Sequence, residues 1–301
     1  MPEGFTAAAV GLFDGVHLGH RAVISRAAEI AEECVGVSPA VFTFETDTVT
    51  SKGGGMECLL SKELKNEVIG SLGVEYIYSP DFMNFKNLSA EGFVELVLCG
   101  KMSARFVVCG EDFRFGRGAS GDVHTLERLC MKKGIRVFTV PPVKGENGER
   151  ISSTEIRELI RNGEISRANR LLGYKYFMRL PVVGGNHIGR TMDFPTINQQ
   201  LPKGQVMPKF GVYASAVQVN GKMHRGVTNI GVKPTVSCGG LPLAETFIED
   251  FEGDLYGERI RLSLVEFIRP ERKFSGISEL AEQIKTDVRA CAALPDDIYG
   301  I

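Results

Sequence analysis

A change of hydrophobic pattern near residue 173 constrains the fold of this chain more than any other feature. Before it, short apolar runs alternate with segments of helical periodicity, and after it short β-rich runs are separated by Gly, Pro and Asn. The first pattern predicts a doubly wound parallel α/β sheet, and the second predicts a small antiparallel β-barrel. We therefore predict two domains, residues 1–172 and 173–301, in accord with about one domain per 150 residues.

The apolar runs and periodic segments also set the expected order of elements. In the first domain we expect strands at residues 7–12, 37–44, 74–78, 106–109 and 137–140. We expect helices there at residues 18–32, 62–71, 90–98 and 125–133, followed by a capped helix at 152–162. In the second domain we expect strands at residues 179–183, 211–219, 224–228 and 259–267, and then a terminal helix at 277–291.

Composition excludes several classes of function. The formal net charge is −2, with both signs mixed along the chain, whereas a nucleic-acid-binding protein needs a basic face. The first residues lack a signal-peptide pattern, and no apolar run approaches the ~18 residues of a membrane span. Seven cysteines without a CxxC pair are typical of free thiols in a reducing cytoplasm. We expect a cytoplasmic protein with no nucleic-acid or membrane partner; the sequence leaves its oligomeric state open.

The segment FDGVHLGH follows the first predicted strand and opens the first predicted helix. A helix N-terminus presents unpaired N–H groups and the positive end of a dipole, which favours a phosphate. Gly15 and Gly19 let the backbone approach a ligand closely. His17 and His20 lie one turn apart on one helix face, where two imidazoles can stabilise charge at phosphorus. The segment therefore predicts a phosphate site.

The histidine pair also has two other interpretations. His17 and His20 have the spacing of metal ligands, but no nearby Cys, His or carboxylate cluster completes a metal site. They could also be ordinary packed histidines, an interpretation that the strand, turn and helix context disfavours.

Two further segments carry polar groups suited to a nucleotide. In ISSTEIR, Ser152, Ser153 and Thr154 supply hydroxyls at a helix N-terminus, and Arg157 supplies a planar fork for phosphate oxygens. The same hydroxyls could serve only as a helix cap. In GEDFRFG, Asp112 follows a predicted strand, at the sheet edge where ligands bind, or stands in a solvated turn.

These motifs resemble, in order, those of the bacterial bifunctional riboflavin kinase/FAD synthetases, a group within the HxGH nucleotidyltransferases. The first half contributes GLFDGVHLGH, GEDFRFG and ISSTEIR; the second contributes GRTMDFPTIN, GVY, NIGVKPT, ETFIEDFEGDLYG and FIRPERKF. The resemblance covers nearly the whole chain. It implies a barrel that phosphorylates riboflavin to FMN with ATP, and a first domain that adenylylates FMN to FAD and releases pyrophosphate.

The resemblance also implies roles for particular residues. The implied catalytic residues are His17, His20, Arg157 and Glu245, with Glu245 as the base that activates the ribityl hydroxyl. The implied nucleotide-binding residues are Phe13, Asp14, Gly15, His17, His20, Asp112, Ser152, Ser153, Thr154, Arg157, Thr196 and Asn198. The implied flavin-binding residues are Gly189, Arg190, Phe194 and Arg269. Thr196 and Asn198 are the implied ligands of Mg²⁺.

The sequence departs from the family pattern at several positions. Asp193 replaces a Gly and Phe247 a His in the second half, while Leu12 replaces an Asn and FETDT at residues 44–48 replaces FEPHP. The departures at Asp193 and Phe247 motivate an alternative, a monofunctional FAD synthetase with a degenerate kinase domain. A non-catalytic flavin- or nucleotide-binding regulator is a second alternative. Another adenylyl- or cytidylyltransferase is a third, although it leaves the second domain unexplained.

Overall fold

The computed structural model describes residues 2–45, 57–184, 195–232 and 242–300, without the side chain of Ile277. The chain forms two compact units, Met1–Glu155 and Ile156–Ile301. The units divide earlier than the predicted boundary because residues 165–172 pack on the barrel, where the side-chain amide of Asn169 donates to the Leu264 carbonyl over 2.9 Å. The boundary between residues 172 and 173 stays a prediction.

The first unit is built on a five-stranded parallel sheet with the order β3-β2-β1-β4-β5. The strands are β1 (Phe5–Val10), β2 (Val37–Phe42), β3 (Tyr76–Tyr78), β4 (Ala104–Gly110) and β5 (Arg136–Val140). The chain leaves β1 toward β2 on one side and returns from β3 to β4 on the other. This reversal places a topological switch point between β1 and β4, where ligands bind in such sheets. The predicted doubly wound fold is confirmed.

Helices cover both faces of this sheet. They are α1 (Leu18–Glu32), α2 (Lys62–Gly70), α3 (Ala90–Gly92) and α4 (Val123–Met131), and α3 continues as a π-helix over Phe93–Lys101. Helix α1 contacts β1 and β2, and β1 carries the fully buried small residues Ala7 and Ala9 on one face, while Ala8 packs in the core with residues 93–102 on the other face. The buried residues of α1 recur with helical spacing, at Val23, Ile24, Ala27, Ile30 and Ala31.

The second unit contains a closed barrel with the strand order β10-β7-β6-β11-β8-β9. The strands are β6 (Phe177–Val183), β7 (Thr196–Gln200), β8 (Gly211–Val219), β9 (Lys222–Gly231), β10 (Leu243–Ile248) and β11 (Arg259–Arg269). All described pairings within it are antiparallel. Helices α5 (Ser153–Asn162) and α6 (Ile165–Leu172) precede the barrel, and α7 (Ile277–Ala292) follows it. The predicted barrel with a terminal helix is confirmed.

Strands β7 and β10 and helix α6 were not predicted. The two strands lack a continuous apolar face because polar side chains point into the barrel. Inside it, the amide of Gln199 donates to two backbone carbonyls, and the Thr246 hydroxyl lies 2.9 Å from that of Thr228. Hydrogen bonds engage the amide nitrogen of Gln199 and both threonine hydroxyls, although Oε1 of Gln199 has no partner among the described residues. Polar residues with such partners can face the inside of the barrel, so the strands need no apolar alternation. In the described part of the chain, no helix is long and apolar enough to cross a membrane.

Candidate active sites

The turn between β1 and α1 has a strained backbone. Phe13 and Val16 both adopt left-handed conformations, with φ of 49° and 39°, which a β-branched residue such as Val rarely takes. Gly11 makes room for this turn, because a Cβ there would lie 2.8 Å from the Phe13 ring. Strain of this kind is maintained at sites where the position of the backbone matters. The turn lies at the carboxyl end of β1, beside the switch point.

Two predicted residues of the turn stabilise it from within. The Asp14 carboxylate is buried and accepts a 2.9 Å hydrogen bond from the Leu59 backbone N–H. Gly15 has a φ of +76°, and a Cβ there would lie 2.4 Å from Leu59 Cδ1. The backbone of the turn therefore packs directly on the segment before α2. Neither residue lines the cavity described below, and their predicted nucleotide contact stays a prediction.

His17 caps helix α1 and stacks on His20. The Nδ1 atom of His17 accepts from the His20 backbone N–H over 3.3 Å, and the two ring centroids are 3.6 Å apart. Because Nδ1 of His17 is an acceptor, its proton resides on Nε2, which is then a donor. Gly19 leaves space for the His17 ring, since a Cβ there would lie 3.2 Å from Cε1. Among the described residues, the buried Nδ1 of His20 has no hydrogen-bond partner.

Both imidazoles are neutral at physiological pH. Burial, and then the Arg150 guanidinium, lowers the pKa of His17 to about 4. Burial also lowers the pKa of His20 well below its usual value, with further contributions from His17, Lys65 and Arg150. A neutral imidazole can donate through one nitrogen while the other accepts. The pair therefore offers directed hydrogen bonds without a fixed charge.

A polar cavity of about 380 Å³ opens in front of the histidine pair. It lies at the ends of β1, β4 and β5, and its wall includes the predicted residues Phe13, His17, His20, Asp112, Ser152, Ser153 and Thr154. Arg150 also lines it and donates a 2.5 Å hydrogen bond to the Asp112 carboxylate. The cavity thus brings together most of the first unit's predicted nucleotide-binding residues.

The three hydroxyls at the N-terminus of helix α5 have different surroundings. Ser152 accepts from the Glu155 backbone N–H over 3.2 Å as a helix cap, and Ser153 donates to the Asp14 carbonyl over 2.9 Å. Thr154 is exposed at the cavity wall. Arg157 is buried on α5, four residues after Ser153. The cap interpretation is thus correct for Ser152, and a nucleotide contact by these residues stays a prediction.

A second cavity of the first unit, of about 390 Å³, is mostly aromatic. The phenylalanines in its wall are Phe42, Phe44, Phe82, Phe85, Phe93, Phe113 and Phe115. Phe42 and Phe44 pack edge to face with centroids 5.1 Å apart, whereas the rings of Phe113 and Phe115 are stacked, with centroids 5.7 Å apart. Its wall shares Gly11, Leu12, Phe113 and Arg114 with the polar cavity. The polar and the aromatic cavity are therefore neighbours that share one wall.

In the second unit, the strand register places the predicted kinase residues on one face. Glu245 of β10 lies opposite Asn198 of β7, and Phe247 lies opposite Thr196. Because side chains alternate along a strand, these four share one face. The opposite face carries the fully buried Gln199, Ala244 and Thr246, which point into the barrel. The four residues therefore face outward, and Thr196 and Asn198 line a cavity of about 280 Å³.

The Oδ1 atom of Asn198 is a candidate metal ligand. It is buried and has no hydrogen-bond partner among the described residues, although a buried amide oxygen normally has one. Oxygen atoms of this kind are the ligands that Mg²⁺ prefers. The described residues contain no cluster of three or more His, Cys, Asp or Glu side chains arranged for a metal, at the histidine pair or elsewhere.

Arg269, a predicted flavin-binding residue, is paired with helix α7. Its guanidinium donates to both carboxylate oxygens of Asp287, over 2.9 and 2.7 Å, and to the Pro270 carbonyl over 3.1 Å. Asp287 is buried, so this bidentate pair joins the end of β11 to α7. The other predicted flavin-binding residues, Gly189, Arg190 and Phe194, lie outside the described residues, as does Asp193.

Two cationic residues of these cavities were not predicted from the sequence. Arg150 lies two residues before Ser152, and Arg114 lies within GEDFRFG. Their positions beside motifs already identified are the signal that could have found them. A lone arginine in a loop is ordinarily a solvated residue, so only the fold shows that both line the polar cavity.

Two family models match consecutive parts of the chain. The FAD synthetase model matches residues 3–155, and the riboflavin kinase model matches residues 172–294. The parallel sheet with the HxGH turn lies in the first match, and the barrel lies in the second. Together they define a two-domain protein of the FAD synthetase and riboflavin kinase class.

Curated relatives match over most of their length. The bifunctional riboflavin kinase/FMN adenylyltransferase of Bacillus subtilis is 38% identical over 286 residues, covering 93% of this chain and 89% of the relative. The protein of the same description from Escherichia coli K12 is 35% identical over 292 residues, covering 95% and 91%. The chain belongs to the bifunctional riboflavin kinase/FMN adenylyltransferase family.

A solved structure resembles the whole chain as well. A crystal structure described as a macrolide-efflux protein from Streptococcus pneumoniae has a TM-score of 0.87 and 30% identity. The match covers 98% of this chain and 96% of that chain.

Proposed function

We propose that this chain makes both flavin cofactors, phosphorylating riboflavin to FMN in the second unit and adenylylating FMN to FAD in the first. The observation that carries the proposal is that each family model matches a separate unit, and that each unit has its own cavity lined by the matching motif. The substrates are riboflavin, FMN and ATP.

The polar cavity is suited to adenylyl transfer. An oxygen of the FMN phosphate attacks the α-phosphorus of ATP, the bond from that phosphorus to the β-phosphate bridging oxygen breaks, and pyrophosphate leaves. The attacking oxygen is already anionic, so no base is needed. The protein's task is to position the reactants and stabilise charge, through His17 Nε2–H, His20 and the N–H groups that open α1. Arg157 is proposed to contribute a further fork of donors.

The aromatic cavity is suited to the isoalloxazine ring of FMN. Its phenylalanines offer flat apolar surface, and its volume of about 390 Å³ lies within the usual range for a small-ligand pocket. The wall shared with the polar cavity contains Arg114, a cation beside which the attacking phosphate can lie. This arrangement brings the FMN phosphate and the α-phosphorus of ATP to one place.

The outward face of β7 and β10 is suited to phosphoryl transfer. A ribityl hydroxyl is a weak nucleophile, so it needs a base, and Glu245 accepts its proton as the hydroxyl oxygen attacks the γ-phosphorus and ADP leaves. Thr196 and the buried Oδ1 of Asn198 are proposed to hold Mg²⁺. When bound, the metal ion supplies positive charge that neutralises the phosphate oxygens.

The alternative of a degenerate kinase domain is not supported. The riboflavin kinase model matches residues 172–294, and the register brings Thr196, Asn198 and Glu245 to one face. We also propose a reducing, cytoplasmic setting, because all six cysteines within the described residues are free thiols.

The proposal is tested by separating flavins by HPLC after the protein is incubated with Mg-ATP and either riboflavin or FMN. FMN and FAD from riboflavin are expected. FAD from FMN with riboflavin untouched would mean that the kinase is silent. Product from neither flavin would leave a flavin-binding regulator or a different nucleotidyltransferase, which an assay with other acceptor phosphates would separate.

A further inference from the structure

A lysine of helix α2 is buried beneath the HxGH turn. Lys65 has no exposed surface, and its ammonium donates to three oxygens: the Phe44 carbonyl over 2.6 Å, the Thr43 hydroxyl over 3.1 Å and the Leu12 carbonyl over 3.5 Å. A lysine ammonium has three N–H donors, and these oxygens can accept from each of them. Burying a charge is expensive even when it is well hydrogen-bonded, and an apolar side chain would fill the site at lower cost.

The three acceptors belong to two segments that are distant in sequence. Leu12 begins the turn after β1, while Thr43 and Phe44 follow β2. The Thr43 hydroxyl also donates to the Leu12 carbonyl over 2.7 Å, so the two segments and the ammonium form one hydrogen-bonded group. Leu12 lines both the polar and the aromatic cavity, and Phe44 lines the aromatic one. The ammonium therefore lies directly behind the walls of both cavities.

We propose that Lys65 is a positioning residue for adenylyl transfer, whose buried ammonium fixes the wall between the polar and aromatic cavities and adds positive charge behind the histidine pair. The inference rests on the proposed FMN adenylylation. Fixing Leu12 against Thr43 and Phe44 sets the distance between the flavin ring and the turn that holds the nucleotide phosphates. A displacement of this wall by about 1 Å is enough to cost on the order of 10²-fold in rate.

The charge of Lys65 acts on the histidine pair as well. Three groups around His20 lower its pKa in addition to burial: His17 on its own helix, Lys65 on α2 and Arg150 at the cavity wall. Arg150 is itself paired with the Asp112 carboxylate. Removing the Lys65 charge should therefore raise the pKa of His20. The groups that lower the pKa of His17 do not include Lys65, so the effect should be specific to His20. In the pH–rate profile of FAD formation, the acidic limb that reports protonation of His20 should move to higher pH.

The test compares Lys65→Met, which keeps the length and apolar stem, with Thr43→Val, which loosens the wall but retains the ammonium. FAD formation from FMN and Mg-ATP is measured as kcat and KM from pH 9 down to about pH 4, because the pKa of the buried His20 lies well below its usual value. For Lys65→Met, kcat/KM for FMN should fall on the order of 10²-fold and the acidic limb should move to higher pH. For Thr43→Val, the KM for FMN should rise while the limb stays in place.

Two controls accompany these variants. Lys133→Met removes an exposed ammonium of the same unit, which pairs with Glu95, and should leave FAD formation unchanged. Riboflavin phosphorylation by the second unit should be unchanged in every variant and reports that the effect is confined to the first unit, whose folding is measured by urea unfolding.

Three outcomes would overturn the inference. The first is a wild-type kcat/KM for FMN together with an unmoved acidic limb in Lys65→Met. The second is a loss of FAD formation in Lys133→Met as large as the loss in Lys65→Met. The third applies if Lys65→Met does not fold: a wild-type KM for FMN in Thr43→Val would then overturn the inference. Failure of the underlying function looks different, because the unmodified protein would then make no FAD from FMN.

Discussion

The rings of His17 and His20 stack with centroids 3.6 Å apart, and the Nδ1 atom of His17 accepts the His20 backbone N–H. The hydrogen bond assigns the proton of His17 to Nε2, and burial keeps both rings neutral. The stack therefore presents two neutral imidazoles at a helix N-terminus, where they can donate to phosphate oxygens without attracting a tightly bound counter-ion.

The first prediction concerns stability at acidic pH. In the unfolded chain His17 regains a pKa near 6.5, whereas in the folded protein its pKa is about 4. Between these values the unfolded state binds more protons, so stability is full above pH 6.5 and falls as the pH drops toward 4. The loss from His17 is on the order of 3 kcal/mol. Urea unfolding at a series of pH values measures it.

In this experiment His17→Gln should reduce the fall in stability between pH 6.5 and 4, because glutamine does not titrate, and the remaining fall includes the contribution of His20. His124→Gln is the matched control, since His124 is exposed on α4 and its removal should leave the slope unchanged. Equal slopes in the wild type and His17→Gln would contradict the burial of a neutral His17.

The second prediction separates the two activities. His20→Ala should lower FAD formation from FMN on the order of 10²–10³-fold, because it removes a donor to the charge that develops at phosphorus. Arg157→Ala should have an effect in the same direction. Both variants should spare FMN formation from riboflavin, which HPLC of the flavin products measures. If either change abolished both activities in folded protein, the assignment of two separate sites would be wrong.

The third prediction concerns the kinase base. Glu245→Gln keeps the shape of the side chain but cannot accept the ribityl proton, so riboflavin phosphorylation should fall on the order of 10²–10⁴-fold. FAD formation from supplied FMN should be unchanged. Glu258→Gln, at an exposed position of the same unit, is the control. Normal phosphorylation by Glu245→Gln would move the role of base to another residue.

The fourth prediction concerns Arg150, which sequence reasoning missed. It lines the polar cavity and pairs with Asp112, and both side chains are more than half exposed. Arg150→Met should raise the KM for ATP in FAD formation by about 10-fold, because a charge-assisted contact to phosphate is lost. The free energy of unfolding should change little, since exposed ion pairs contribute about 0–1 kcal/mol. Arg150→Lys should restore part of the affinity, and an unchanged KM in Arg150→Met would exclude the contact.

The fifth prediction decides between two roles for Arg269. If its pairing with Asp287 is structural, Arg269→Ala and Asp287→Ala should each destabilise the protein by about 3–5 kcal/mol, as expected for a broken buried ion pair. The double variant should cost less than the sum of the two, which thermal and urea unfolding measure. A flavin-binding role predicts instead that Arg269→Ala raises the KM for riboflavin while Asp287→Ala does not.

The sequence by itself determined the fold class and the position of the first site. The alternation of apolar runs and helical segments specified the parallel sheet because buried parallel strands must be apolar on both faces. The HxGH segment located the candidate site because it lies where a strand ends and a helix begins. At such a turn, the two histidines and the unpaired N–H groups of the helix face in the same direction. Strands β7 and β10 were not predicted because hydrogen-bonded polar side chains replace the apolar alternation inside the barrel.

The tertiary structure alone decided which side chains meet. The register of β7 and β10 puts Asn198 opposite Glu245, although 46 residues separate them in the chain, and no local pattern encodes a cross-strand partner. The ends of β1 and β4 meet at the switch point, so the wall shared by two cavities arises only when the sheet forms. The burial of Lys65 follows from the same packing: a lysine on an amphipathic helix is expected in solvent, and only the turns after β1 and β2 give its ammonium acceptors inside the protein.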